Sequence, residues 1–300
     1  MTVIGIPVEH SGDGQLDVAP PSNRGKPEWA RAVAVRSIWY VLGVVVAAFF
    51  ALPMLWLVTA PFEAHPGFDV GLSHLTLSNF VDVFHNPNAL SSLYNSLILS
   101  LLTMLIVVGA SALAAYALSR VNLPGRDVML YVLLLLSSVV SGTAAMVPLF
   151  LLVFDMHLIN TDAGVVLVLA AGLLPAGIFI LKDFMDSIPR SYEESARVFG
   201  ASPLRMLWDV VGPSVRPGLA VIGVWAVVNV WGNFLIPFIL LRSPGLTPAA
   251  VEIYSFYTSG GQANLRLIST FSLLYTLPVV VIYLLVQRRY GFRFYGGIKG

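Results

Sequence analysis

Cysteine is absent from the chain, which removes disulfides and thiolate metal sites and leaves the redox compartment unmarked. Charge is almost as scarce: Asp, Glu, Lys and Arg make up 11% of the 300 residues, against 57% hydrophobic ones, and mean hydropathy is +0.82. That balance lies beyond what a soluble domain of this size shows and puts most of the chain in lipid or in a lipid-facing core. The five histidines are scattered and form no metal cluster. No G-x-x-x-x-G-K-[ST] occurs; Gly25 and Lys26 lack both the upstream glycine and the following hydroxyl residue, so no P-loop holds a nucleotide here. H-E-x-x-H, a serine elbow and paired carboxylates inside an apolar stretch are missing as well. The sequence therefore offers no catalytic centre and no proton relay.

What the chain does have is long intervals free of charge. They run over 37–62, 83–119, 128–154, 163–181, 217–241 and 267–287, and about 20 mostly apolar residues suffice to cross a bilayer. The second is longer than it needs to be and begins in a polar loop, so its helix is expected from about Leu93 to Ser119. Six transmembrane helices follow, with both termini on one side. Of the 17 Lys and Arg residues, all but Arg242 and Arg266 fall on that side. The positive-inside rule then makes both termini and the 182–216 loop cytoplasmic, in a multi-pass plasma (inner) membrane protein.

Residues 1–34 carry glycine and proline without a sustained apolar period and read as a mobile, disordered cytoplasmic tail ahead of a membrane domain over 35–300. Their pattern, with no basic start before an apolar stretch, argues against a cleavable signal peptide. Outside, 61–92 and 242–266 are the sizeable external segments. In the second span Gly109, Ser111, Ala112 and Ala115 are small enough to let helices approach closely. In the third, Ser137, Ser141, Thr143 and Pro148 suggest either a kink or a lined cavity. Gly172, Pro175 and Gly177 make the fourth read as irregular. The fifth holds Asn229, Trp231, Gly232, Asn233, Phe234 and Pro237. Its two asparagines, four apart, share a helix face; amides are costly in hydrocarbon, so that face meets either a partner helix or a watered translocation path.

The one long polar interruption is 188–217. Ser191 with Glu194 three residues on reads as a capping box, and Gly200 as the turn that ends a first short helix. Ser202 and Pro203 open a second one, which Gly212 and Pro213 are expected to close. Carrying Glu193, Glu194, Arg197 and Arg205, this pair of helices suits a surface gripped by another protein.

That loop resembles the signature E-A-A-x-x-x-G, followed after nine residues by I-x-L-P, of permease subunits of binding-protein-dependent ABC importers. It reads here as Glu194, Ser195, Ala196, Gly200 and Val210 to Pro213. Further segments, N-S-L-I-L-S-L-L-T from Asn95, A-A-Y-A-L-S-R and L-P-G-R between Ala114 and Arg126, L-I-N-T from Leu158 and W-G-N-F-L-I-P from Trp231, resemble the carbohydrate branch and its maltose-type second permease. Ser195, Phe199 and Gly212 depart from the usual alanine, aspartate and leucine. The resemblance implies an all-α, type I importer (MetI-like) permease fold with a cytoplasmic coupling helix in 188–213. Glu193, Glu194, Ser195, Ala196, Arg197, Gly200 and Pro213 would dock on an ATPase. Asn229, Trp231, Asn233, Phe234, Pro237, Ser141 and Thr143 would line the path, and Gly260, Gly261 and Gln262 would meet an extracytoplasmic solute-binding protein. The C-terminal tail 288–300 is basic; beyond anchoring to anionic headgroups, the resemblance implies that it lies along the ATPase dimer. A second homologous permease and two ATPase subunits complete the expected partners, with the lipid bilayer and without nucleic acid; ATP and Mg would sit on the ATPase, with no cofactor on this chain. The alternative is a stand-alone secondary carrier or facilitator, whose paired interrupted half-helices the sequence does not display.

Overall fold

The computed structural model describes residues 28–71, 74–121, 124–140, 143–257 and 263–290. Expectations placed on 1–27, Ser141, Gly260, Gly261, Gln262 and the tail beyond Tyr290 lie outside the described residues. Among those described, regular structure is helical, with two isolated bridges, Glu63 to Leu75 and Tyr257 to Ala263. The chain divides into a unit ending at Met54 and a second running from Leu55. The first holds α1 (Glu28–Thr59) as far as Met54, and this helix begins inside the stretch read as tail. From Val35 to Met54 its residues are exposed, as suits a stretch that, beyond Arg36 and Ser37, is apolar or aromatic.

The second unit contains α2 (Ser78–His85), α3 (Pro87–Arg120), α4 (Arg126–Val140), α5 (Met146–Asp155), α6 (Asp162–Asp186), α7 (Ser191–Val198), α8 (Pro203–Met206), α9 (Gly212–Trp231), α10 (Leu235–Leu240), α11 (Ala249–Glu252) and α12 (Leu265–Tyr290). Its centre is α3, packed against α6 and α9. Leu99, Thr103, Val107, Ser111, Ala115 and Ser119 are all buried, and their spacing of four residues puts them in one stripe. Small side chains in that stripe matter because lipid supplies no hydrophobic drive between helices, leaving close packing to hold them. A β-carbon at Gly177 of α6 would lie 2.6 Å from Ser111 Oγ, and one at Gly218 of α9 would lie 2.7 Å from the Phe184 ring. Gly109, grouped with this stripe in the sequence, faces open space instead.

Among the described residues, five helical stretches are long and apolar enough to cross a membrane: Val35–Phe62, Pro87–Arg120, Asp162–Asp186, Leu207–Trp231 and Leu265–Arg288. The expected third span is instead divided between α4 and α5, with a 3-10 turn at Thr143–Ala145. Pro148 causes no break where it stands, because it occupies the first turn of α5, where its missing N–H has no helical partner to lose.

Two local expectations are corrected. The fourth span is one continuous helix through Pro175, which forgoes only the hydrogen bond that the proline nitrogen cannot donate to the Ala171 carbonyl. Nor do Gly212 and Pro213 end a helix. Leu207–Val211 forms a π turn that leads directly into α9, in which the Gly212 N–H donates to the Leu207 carbonyl. Widening the ladder by one residue absorbs a proline that could neither donate nor fit the usual turn. Glycine is required at 212, where a β-carbon would lie 2.9 Å from that same carbonyl.

Candidate functional site

Two polar regions stand out on the second unit, one within the membrane-spanning helices and one at their basic, loop-bearing end. The first is a cavity of about 330 Å³ between α4, α6 and α9, lined by Ser137, Val168, Leu169, Gly172, Leu173, Ala176, Trp225, Asn229, Asn233 and Ile236. Asn229 donates through Nδ2 to the Trp225 carbonyl at 2.8 Å. Asn233 accepts at Oδ1 from the Ile236 N–H at 3.1 Å, in the first turn of α10. Each backbone partner fixes which way its amide points. The edges left over are complementary: Oδ1 of Asn229 is an acceptor and Nδ2 of Asn233 a donor, with the Trp225 indole one turn before Asn229 on the same helix face. Such a lining, aromatic and aliphatic with a few oriented polar groups, suits a small polar solute.

The other residues expected on the path are placed elsewhere. Trp231 is buried and clasped to α12: its indole donates to the Tyr275 carbonyl at 3.0 Å, the Tyr275 hydroxyl donates to the Trp231 carbonyl at 2.7 Å, and the two rings stack 5.6 Å apart. Phe234 stacks on Phe238 at 4.9 Å, Pro237 is buried in α10, and Thr143 is exposed in its 3-10 turn. Trp225 escaped the sequence reading because an aromatic in an apolar span looks like core; its position four residues before Asn229 was the available signal.

The second region is the end of the helices around α7. Gly200 turns the chain at φ +79°, as expected, and the Arg205 N–H donates to Ser202 Oγ at 3.3 Å at the start of α8. The capping box is absent: Arg190 occupies the cap position, and its carbonyl takes the N–H groups of Glu193 and Glu194, both at 3.0 Å. Of the two adjacent glutamates, Glu193 is buried and Glu194 exposed. Ser195 and Arg197 are exposed, Ala196 is half-buried, and Pro213 lies exposed in the first turn of α9. Around them stands a run of open apolar surface: Tyr192, Val198, Phe199 and Trp208 are 59%, 84%, 91% and 74% exposed.

Motif segments that fall in neither region hold the far end together. Asn95 donates to the carbonyls of Gly245 at 2.7 Å and Thr247 at 3.2 Å, and Ser96 Oγ accepts from the Ala249 N–H. Asn160, at φ +61°, accepts at Oδ1 from the N–H groups of Arg242 and Ser243 and donates to Ser243 Oγ at 2.8 Å. Thr161 Oγ1 caps α6 by accepting from Gly164. Thus the N-S-L and L-I-N-T segments fasten the 242–249 segment to α3 and α6.

A helical membrane unit with an amide-bearing cavity among its helices and an exposed, glycine-turned pair of short helices has the form of a transport subunit. Residues 126–294 match the family "binding-protein-dependent transport system inner membrane component", and the chain belongs to that family: it is a permease subunit of an ABC importer. The maltodextrin transport system permease protein MdxG of Bacillus subtilis is 30% identical over 215 residues, covering 72% of this chain and 77% of its own. The trehalose transport system permease protein SugB of Mycobacterium tuberculosis is 28% identical over 255 residues, covering 84% of this chain and 93% of its own. The fold is shared with a chain in the crystal structure of a bacterial ABC transporter that imports the acidic polysaccharide alginate, at a TM-score of 0.68 and 23% identity over 84% of this chain and 96% of that one.

Proposed function

We propose that this permease imports a sugar or oligosaccharide, moving it past Asn229, Asn233 and Trp225 by alternating access while a separate ATPase pair hydrolyses ATP with Mg. The observation that carries the ATP-driven reading is the α7–α8 element: Tyr192, Glu194, Val198, Phe199 and Trp208 stand open beside a turn at Gly200, on the side that the charge distribution makes cytoplasmic. An apolar knob rimmed by charge is the surface of a subunit that sits on another protein. Sugar is supported by the maltodextrin and trehalose relatives and by a cavity that offers one acceptor, one donor and an indole face. A second homologous permease and an extracytoplasmic binding protein, met by the outer segments 61–92 and 242–266, complete the reading. The alginate importer crystallised with its pentasaccharide-bound periplasmic protein supports that last partner.

Purification of the tagged chain from its native membrane tests the reading. An ATPase co-purifies with the wild type, and Gly200→Val removes it while the chain still inserts. A side chain at that φ costs about 1–2 kcal/mol and re-aims α8. Retention of the ATPase by the variant, with uptake at the wild-type rate, sinks the docking assignment and returns the secondary carrier to first place.

A further inference from the structure

Glu193 is the one buried side chain of α7, and both of its carboxylate oxygens have partners on α3. Its Oε1 lies 2.6 Å from Arg120 Nε and its Oε2 accepts from the Tyr116 hydroxyl at 3.2 Å. Tyr116 and Arg120 sit one turn apart at the end of α3, so a single carboxylate bridges two groups on one helix face. The Arg120 and Glu193 side chains are only 12% and 7% exposed. The arginine also donates through Nη2 to the Ile188 carbonyl at 3.4 Å, while Arg190 Nη2 donates to the Ser119 carbonyl at 3.1 Å. Ser119 in turn donates to Asp186, which pairs with Lys182 at 2.6 Å. Donors and acceptors therefore close on one another across α3, the end of α6 and α7. Without this network α7 would hang between the 187–190 linker and the turn at Gly200, with no buried apolar side chain to fix its direction.

We propose that the Arg120–Glu193 pair, seated by Tyr116, is the clamp that makes α7 and α3 move as one body. It transmits displacement of the docking element to the membrane helices and takes no part in gripping the ATPase. The proposal rests on reading α7–α8 as the docking element. It separates two adjacent carboxylates by role: Glu194 outward to the partner, Glu193 inward to its own chain. Pairing of this kind is suited to transmission because a buried ion pair is stiff and directional, and removal of either partner strands the other. Arg120 and Glu193 are positioning residues; neither touches solute or nucleotide.

Because the chain contains no cysteine, spin labels on cysteines at the exposed positions Val121 and Val198 report the α3-to-α7 distance directly by electron double resonance. The clamp gives one narrow distance in the wild type, a broad one in Glu193→Gln, and a narrow one again in the swapped pair Arg120→Glu with Glu193→Arg. In the complete importer, Glu193→Gln lowers solute uptake per ATP hydrolysed by about tenfold while the ATPase stays bound, since what is lost is transmission rather than association. Tyr116→Phe, which keeps the ion pair and removes one hydrogen bond, gives the same signature at a few-fold. An unchanged distance in Glu193→Gln overturns the clamp. Parallel loss of uptake and ATPase binding in that variant makes Glu193 a docking residue and overturns it too. A wild-type chain that holds no ATPase sinks the docking reading and the transmission role with it, while the label distances still decide whether α7 is clamped to α3.

Discussion

The two polar regions follow opposite rules. At the Arg120–Glu193 junction both carboxylate oxygens of Glu193 are taken by groups of its own chain. In the cavity each of Asn229 and Asn233 commits one edge to its own backbone and leaves the other open. A sealed network has nothing to offer a ligand and serves to hold elements in register; a half-open one is oriented by its closed half and binds with its free half. Polarity inside a membrane protein is thus not one signal. Where the last hydrogen bond goes decides whether a residue is structural or receptive.

The largest expected effect breaks the sealed side. Arg120→Ala leaves Glu193 buried without its partner, a change worth about 3–5 kcal/mol, and the purified chain should lose thermal stability by the largest margin of any variant here. Glu194→Ala, one residue from the clamp but exposed, should leave the melting temperature unchanged and act only on ATPase association. Equal melting temperatures for the two variants would erase the distinction between the glutamates.

A middle-sized effect separates the two halves of the cavity amides. Asn233→Ala removes both the open donor and the acceptor of the Ile236 N–H, so it should cost about 1 kcal/mol of stability as well as uptake. Asn229→Ala removes an open acceptor and a side-chain bond to its own helix, and should lower uptake about tenfold at unchanged stability. Melting curves and initial uptake rates on both variants check the pair; stability loss in the second would show that Asn229 is packing. Tyr275→Phe belongs to the sealed class, and loss of its bond to the Trp231 carbonyl should cost about 1 kcal/mol without altering which solute is carried.

The smallest effect concerns Glu252, buried in α11 beyond the membrane spans, where burial pushes its carboxyl above the usual range despite the Ser255 hydroxyl bonded to it. A raised folded-state value means that the fold holds this proton more tightly than the unfolded chain. The group's stabilising contribution is therefore full below the ordinary glutamate value of 4.5 and is lost as pH rises through the higher folded one. Glu252→Gln should raise the melting temperature slightly at neutral pH, with the gain vanishing in acid. A gain that grows in acid would give the shift the wrong sign.

How far all this could be read from the sequence follows from which residues speak locally. Five of the six expected spans match helices long and apolar enough to cross a membrane, because crossing hydrocarbon is a matter of composition, and Gly200 was legible because a left-handed turn calls for glycine. The break between α4 and α5 was half-legible: Ser141, Thr143 and Pro148 announced an irregularity but not two helices. Gly212 and Pro213 misled because the rule that proline ends a helix holds only if the ladder stays α; a π turn at Leu207–Val211 removes the conflict. The choice between Glu193 and Glu194 was closed to sequence reasoning, because α7 buries no apolar residue that would have set the phase of its faces.

The most direct test sets the two regions against each other in one importer. Uptake per ATP hydrolysed and the half-saturating solute concentration are measured for Glu193→Gln and Asn229→Ala, with two sugars that the wild-type importer carries as solutes. The account predicts that Glu193→Gln lowers the uptake-to-hydrolysis ratio equally for both sugars and leaves half-saturation unchanged. It also predicts that Asn229→Ala raises half-saturation unequally for the two sugars and keeps the ratio. A sugar-dependent change from Glu193→Gln, or a sugar-blind loss of coupling from Asn229→Ala, would contradict the division between sealed and open polar groups.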